Sequence, residues 1–251
     1  MTIDRPTPSV EPQLKQLWQE AFGDDAEFVE LFFRTGYAPH RCRVLCEGDR
    51  LLAALYWFDC SFNGRPVAYL YAVAATKQVR GQGYGKLLLE DTHAHLAALG
   101  YAGCALSPAA PRLAEYYATL GYQTFQTRQY HTCSAAEAIA LQPVTKDTYA
   151  ALRKTLLPHG ALHQEGALLD FLAAFMELYA GDGFLLAAHK EGEKLYVAEL
   201  LGTQDCAPGI VAALGCREGR FPIPGGDPFA MYRPLCPEGS LTPTYLGLDL
   251  G

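Results

Sequence analysis

Gln78-Val79-Arg80-Gly81-Gln82-Gly83-Tyr84-Gly85-Lys86 is the stretch whose reading decides the fold. An apolar run, residues 66–75, precedes it. Residues 87–99 follow with apolar positions at helical spacing, and Gly100 ends them. The pattern predicts strand, glycine-rich turn, helix. The first turn of a helix carries N–H groups with no partner inside the helix, and the aligned peptide dipoles put about half a positive charge there. Glycines at 81, 83 and 85 lack a Cβ, so a phosphate can come close to the backbone. Arg80 and Lys86 add full charges at the two ends. The stretch reads as a pyrophosphate cradle, against the competing reading of a glycine-rich turn with no ligand.

Spacing separates the possible cradles. A P-loop needs G-x-x-x-x-G-K-[ST]. Gly81 to Gly85 is one residue short of that, and Leu87 stands where a magnesium-binding hydroxyl should be. A dinucleotide fold needs G-x-G-x-x-G and an acid on the next strand. The glycines here run G-x-G-x-G, and residues 101–106 carry no acid. What remains is Arg-x-x-Gly-x-Gly, from Arg80 through Gly83 to Gly85. It resembles the coenzyme A pyrophosphate loop of the GNAT superfamily (Gcn5-related N-acetyltransferases).

The flanking chain extends the resemblance. Residues 12–22 and 26–34 have helical apolar spacing, separated by Gly23-Asp24-Asp25. Residues 41–47 and 50–62 read as strands joined at Gly48-Asp49, and Asn63-Gly64 is the strongest hairpin signal in the chain. Beyond Gly100, residues 101–106 form a short buried strand. Pro111 opens a helix that ends at Gly121, and residues 122–125 and 128–133 suggest a closing hairpin. Helix, helix, three antiparallel strands, cradle, helix is the GNAT order. Tyr117 through Gly121-Tyr122 is similar to the Tyr-x-x-x-Gly-aromatic ending of the family's last helix. Residues 71–76 and Ser107-Pro108-Ala109 resemble GNAT proteins of the enhanced-intracellular-survival type, which carry a second, degenerate GNAT-like unit.

The second half fits that picture in part. Residues 134–142 read as an alanine-rich helix or linker, with Pro143 as a boundary. Residues 148–157 and 167–179 have helical spacing, and residues 184–189 and 195–201 read as a hairpin. A short helix at 206–214 and a strand pair at 220–235 complete the half. There is no second Arg-x-x-Gly-x-Gly, only Gly202-Thr203-Gln204-Asp205. The expected fold is α+β: a GNAT domain with a mixed, mostly antiparallel central sheet and flanking helices over 1–134. A smaller, truncated GNAT-like α+β unit is expected over 143–251, against the alternative of an unrelated appendage.

Composition bounds the class. The chain has 251 residues, 50% hydrophobic and 19% charged, enough for a packed core. With 20 basic and 27 acidic residues the net charge is −7, which argues against non-specific nucleic-acid binding. Eight cysteines without a C-x-x-C pair read as reduced, buried thiols of a cytoplasmic protein. No signal h-region or membrane span is expected, so neither nucleic acid nor membrane is a predicted partner, while a homo-oligomer stays open.

The resemblance implies an N-acetyltransferase with acetyl-CoA as co-substrate, no metal, and a small-molecule amine acceptor, cationic in one reading. The coenzyme site would comprise Arg80, Gly81, Gln82, Gly83, Tyr84, Gly85 and Lys86. The backbone of Val73, Ala74 and Ala75 would polarise the thioester carbonyl, with small residues leaving room for the pantetheine arm. Tyr117 would be the general acid toward the leaving thiolate, with Tyr116 as the neighbouring alternative. The family's glutamate on the strand before the cradle has no counterpart here. Asp59, Glu27, Glu30, the C-terminal carboxylate or an ordered water relay are the candidate bases. Asp24 and Asp25 read as helix-cap and solvated residues, and His93 and His95 as solvated. The missing strand acid motivates an alternative, a non-catalytic coenzyme A-binding sensor or scaffold. A nucleotide-binding module is a third reading, disfavoured by the spacing.

Overall fold

Asn63 and Gly64 both adopt positive φ, 50° and 73°, the conformation of a two-residue hairpin turn. They join β3 (Arg50–Phe62) to β4 (Arg65–Ala75), the long central pair of the sheet. The structure, a computed structural model, describes residues 1–236 and 241–250. The first half comprises β1 (Thr2–Asp4), α1 (Glu11–Phe22), α2 (Ala26–Thr35), β2 (Cys42–Glu47), β3, β4, α3 (Tyr84–Ala98), β5 (Gly103–Leu106), α4 (Pro111–Thr119) and β6 (Gln123–Ser134). The second comprises β7 (Leu141–Pro143), α5 (Lys146–Leu156), β8 (His163–Gln164), α6 (Ala167–Leu172), β9 (Glu177–Gly181), β10 (Phe184–Glu191), β11 (Lys194–Gly202), α7 (Ala207–Ala213), β12 (Glu218–Pro224) and β13 (Asp227–Pro234).

All thirteen strands belong to one sheet, ordered β1-β2-β3-β4-β5-β13-β6-β12-β11-β10-β9-β7, with β8 paired to β3. It is mostly antiparallel; the parallel pairs are β4 with β5 and β11 with β12. The α+β class expected from the sequence is therefore observed. Each half ends by giving a strand to the other: β13 lies against β5, and β6 lies against β12. The residues on either side of the expected boundary at 134–143 thus share a continuous ladder. Gly103 makes that exchange tight, because a Cβ there would come within 2.2 Å of the Tyr232 hydroxyl of β13.

Two cores lie on opposite faces of the first half. Leu14, Leu17 and Trp18 of α1 and Val29 and Phe32 of α2 pack on one face. Leu88, Leu89 and Leu96 of α3 and Ala114 and Tyr117 of α4 pack on the other. The chain after β13 returns along the first face. It is pinned there by a buried polar network, in which Arg153 donates to both Glu199 oxygens at 2.7 and 2.9 Å. Arg153 also donates to Gln164 Oε1 at 2.9 Å, and Gln164 donates to the Leu248 carbonyl at 2.7 Å. The hydroxyls of Tyr149 and Tyr245 donate to the same carboxylate, so the buried pair has its remaining lone pairs occupied.

Three expectations are corrected, and one element was not foreseen. The predicted closing hairpin at 122–133 is one strand, β6, because it has two successive partners, β13 and then β12, and no turn former at Gln126-Thr127. The helix expected over 167–179 stops at Leu172. Leu178 and Ala180 then alternate inward with exposed Glu177, the period of a strand. The polar N-terminus contributes β1, paired with β2. His93, expected on the solvated side of α3, is 3% exposed and lies against Tyr122.

Burial lowers the His93 pKa to about 4, and its Nε2 shares a proton with the Tyr122 hydroxyl at 2.7 Å. The unfolded chain takes up that proton near the ordinary value of 6.5. Between those values the unfolded state binds more protons, so stability declines as pH falls from about 6.5 to about 4, by about 3 kcal/mol at most. In urea titrations across this window, His93→Gln should lose stability less steeply with acid than the wild type. An unchanged slope would contradict the assignment.

Candidate active site

Strands β4 and β5 are paired over only three positions, Val67 with Gly103, Ala68 with Cys104 and Tyr69 with Ala105. Beyond them β4 runs on to Ala75 with no β5 partner, which frees main-chain polar groups on one edge. On its other edge β4 carries a bulge. Tyr71 pairs with Tyr56 and Ala74 with Ala54, so Leu55 faces both Ala72 and Val73. Ala72 takes φ of 50°, a left-handed conformation that costs an L-residue about 1–2 kcal/mol.

A cleft of about 340 Å³ opens where the two strands part. Its floor is β4 from Tyr69 to Val73, and one wall is Leu113 and Tyr117 of α4. Trp18, Phe22 and Asp24 form the opposite wall, and Asp249 and Leu250 close the end. The Tyr71 hydroxyl donates to the Leu250 carbonyl at 3.0 Å, tying the returning tail to the bulge. The cleft therefore connects the face that carries α4 with the face that carries α1.

The glycine-rich stretch lies beyond the end of β4. Gly81 and Gly83 have φ of 77° and 82°, and a Cβ on either would meet nothing within 4 Å. Gly83 is the N-cap of α3, no side chain caps the helix, and no acid occupies its first turn. The Arg80 Nε donates to the Ala75 carbonyl at 3.1 Å. Lys86 is 3.8 Å from Glu90, one turn along α3. Gln82 is exposed and Tyr84 half-buried. An uncapped helix start, open space at two glycines and two nearby cations are the features that an anion site requires.

Of the expected carbonyl-polarising residues, Val73 lines the cleft, whereas Ala74 and Ala75 return to pairing with Ala54 and Ala53. Tyr117, 8% exposed, faces the cleft, and burial pushes its pKa up to about 12. Tyr116 instead directs its hydroxyl toward Gly85, 3.6 Å from where a Cβ would stand.

Three candidate bases are corrected. Asp59 sits outside the cleft, accepting from the Tyr101 hydroxyl at 2.5 Å and pairing with Arg41 at 3.5 Å. Glu30 pairs with Lys15 at 2.7 Å on the outer side of α2, where Glu27 also lies. These acids fail because their strand or helix positions point away from the parted strands. The C-terminal carboxylate belongs to Gly251, which lies outside the described residues. The carboxylates that do line the cleft are Asp24 and Asp249. Asp25 is the N-cap of α2, accepting from Phe28 N at 2.8 Å. Asp24 is turned inward and accepts from the Trp18 indole at 2.7 Å. The doublet was a usable signal, because only one of two adjacent acids can cap. Asp249 had none, since Arg128, with which it pairs, lies 121 residues earlier in the chain. Among the described residues, no group of three or more His, Cys, Asp or Glu side chains could hold a metal ion.

Residues 2–125 match the family model for the acetyltransferase (GNAT) domain. The fold agrees. A GCN5-related N-acetyltransferase from Anabaena variabilis superposes with a TM-score of 0.74 at 14% identity, covering 94% of this chain and 73% of its own. One from Kribbella flavida gives 0.69 at 17%, covering 92% and 70%. Eis1 from Mycobacterium abscessus gives 0.68 at 11%, covering 94% and 74%. No curated protein matches the chain. Residues 2–125 thus belong to the GNAT acetyltransferases, and the likeness in fold extends through the second half. These residues are thus an acetyltransferase domain of the type that takes acetyl-CoA as co-substrate. No helix among the described residues is long and apolar enough to cross a membrane.

The bulge carries a prediction. Ala72→Val puts a β-branched side chain at positive φ and should either destabilise the fold by about 1–3 kcal/mol or straighten β4. Ala72→Gly should be tolerated. Calorimetric titration with acetyl-CoA should show weaker binding for the valine variant and near wild-type binding for the glycine variant.

Proposed function

We propose that this chain transfers the acetyl group of acetyl-CoA directly to the primary amine of a small acceptor. The coenzyme diphosphate lies on the open first turn of α3, with Arg80 and Lys86 beside it, and the pantetheine arm runs along the unpaired edge of β4. The acceptor enters from the α1 and α2 side. The observation that carries this reading is the single cleft that holds an unpaired strand edge, a buried phenol and an inward carboxylate.

The steps follow from those groups. Asp24 holds the acceptor ammonium and takes up its proton, leaving a neutral amine. The amine nitrogen attacks the thioester carbon, and backbone N–H groups at the bulge, with Val73 the residue at hand, steady the oxyanion. As the tetrahedral intermediate collapses, the C–S bond breaks, Tyr117 donates its proton to the leaving sulfur, and the nitrogen gives up its second proton to solvent, from which the phenol is restored. A phenol with a pKa of about 12 suits a thiolate released into the same desolvated space. Burial raises thiols as it raises phenols, and it pushes the buried Cys104 of this chain up to about 12.

Thiol release with a panel of small amines, together with acetyl-CoA calorimetry, tests the assignment. Tyr117→Phe should lower kcat about 100-fold and leave acetyl-CoA affinity near wild type. Asp24→Asn should lower kcat/KM most near neutral pH and recover as the pH approaches the pKa of the acceptor amine, where the base is no longer needed. Coenzyme binding without turnover of any amine, and no response to Tyr117→Phe, would instead identify a coenzyme sensor.

A further inference from the structure

A second cleft of about 300 Å³ adjoins the first and shares Ser107, Ala109 and Asp249 with it. Its other side is built by β6 and by strands of the second half, on the sheet face that carries α1 and α2. The strand registers set a row of side chains there. His189 of β10 is opposite Tyr196 of β11, Tyr196 is opposite Arg220 of β12, and Arg220 is opposite Thr132 of β6. Neighbouring side chains at matched positions point to one face, so the row is contiguous. His189 stacks on Tyr196, with ring centroids 5.2 Å apart and planes at 11°. The Arg220 guanidinium lies 3.6 Å over the Tyr130 ring.

The charges along this row are one-sided. Arg128 is engaged, pairing with Asp249 at 2.7 Å and lying 3.7 Å over the Phe229 ring. Arg220 has no ion-pair partner among the described residues, so stacking on Tyr130 holds its guanidinium flat while its N–H groups remain available. His189 reaches Glu191 through Nε2 at 3.3 Å, whereas its Nδ1 is buried with no hydrogen-bond partner. The planar donor fork of Arg220, held flat beside the stacked imidazole, matches a carboxylate or phosphate. Asp24 and Asp249 line the adjoining cleft, where an ammonium would sit.

We propose that this second cleft is an anion subsite of the acceptor: the substrate is an amine that also bears a carboxylate or phosphate, which Arg220 holds while the amine lies in the first cleft. This rests on the transferase reading given above and narrows the acceptor from a plain cation to a zwitterion. The subsite binds ground state and transition state alike, so it governs KM rather than kcat.

Matched acceptor pairs test it: L-phenylalanine against phenethylamine for the carboxylate, and phosphoethanolamine against ethanolamine for the phosphate, each followed by thiol release. The anionic member of at least one pair should have the higher kcat/KM, and which pair separates identifies the anion. Arg220→Gln changes an exposed side chain. It should raise KM for that anionic acceptor about 10- to 100-fold at nearly constant kcat, and leave its decarboxylated or dephosphorylated partner unaffected. Equal kcat/KM within both pairs, or an equal effect of Arg220→Gln on both members, would overturn the proposal. If wild type acetylates none of the four amines, the transferase reading fails for this acceptor class, and calorimetry with inorganic phosphate decides the subsite separately. Binding that is lost in Arg220→Gln supports it. No binding, or binding that the variant keeps, overturns it.

Discussion

The parting of β4 from β5 is the constraint on which the rest of the site depends. Three paired positions hold the strands together, and then β4 bulges at Ala72 while β5 ends at Leu106. Backbone groups released from a ladder must find other partners or a ligand, because leaving them buried and unpaired is costly. In the proposed reading, a coenzyme arm lying along β4 is that partner. The cleft is thus the direct result of an interrupted sheet, and the bulge, the inward Tyr117 and the open start of α3 are arranged around that interruption.

The second half keeps the strands parted. β13 fits between β5 and β6, where Gly103 lets Tyr232 lie against the β5 backbone, so β5 is committed to a partner on its far side. The chain after β13 then crosses to the other face and closes the end of the cleft with Asp249 and Leu250. Holding that tail is the task of the Arg153–Glu199 pair and Gln164. These groups are 2%, 1% and 1% exposed, a depth at which ions persist only when fully hydrogen-bonded. A buried ion pair seldom adds net stability, but its directional bonds give the tail a single position.

The two clefts differ in chemistry because they draw on different elements. The acetyl cleft takes its acids from the α1–α2 turn and the tail. The adjoining cleft takes its bases and aromatic rings from β6 and from strands of the second half. Their meeting at Asp249, already engaged by Arg128, sets opposite charges side by side in one continuous space. Such a separation would orient a dipolar ligand more strongly than either charge alone.

Much of the first half was legible in the sequence. The glycine-rich stretch, the Asn63-Gly64 turn and the helices flanking Gly23 are local signals: special φ values, uncapped amides and hydrophobic periods act within a few residues of where they are written. Tyr117 could be placed because helical spacing fixes which face it shares with Leu113. What the sequence could not decide was anything set by distant pairing. That β6 is one strand depends on two partners about a hundred residues away, and that His93 is buried depends on Tyr122 packing over it. The inward turn of Asp24, the arrival of Asp249 and the row from His189 to Arg220 follow from sheet register and tail placement. Tertiary contacts alone select among such arrangements, because the local preferences of these residues are equally satisfied in solvent.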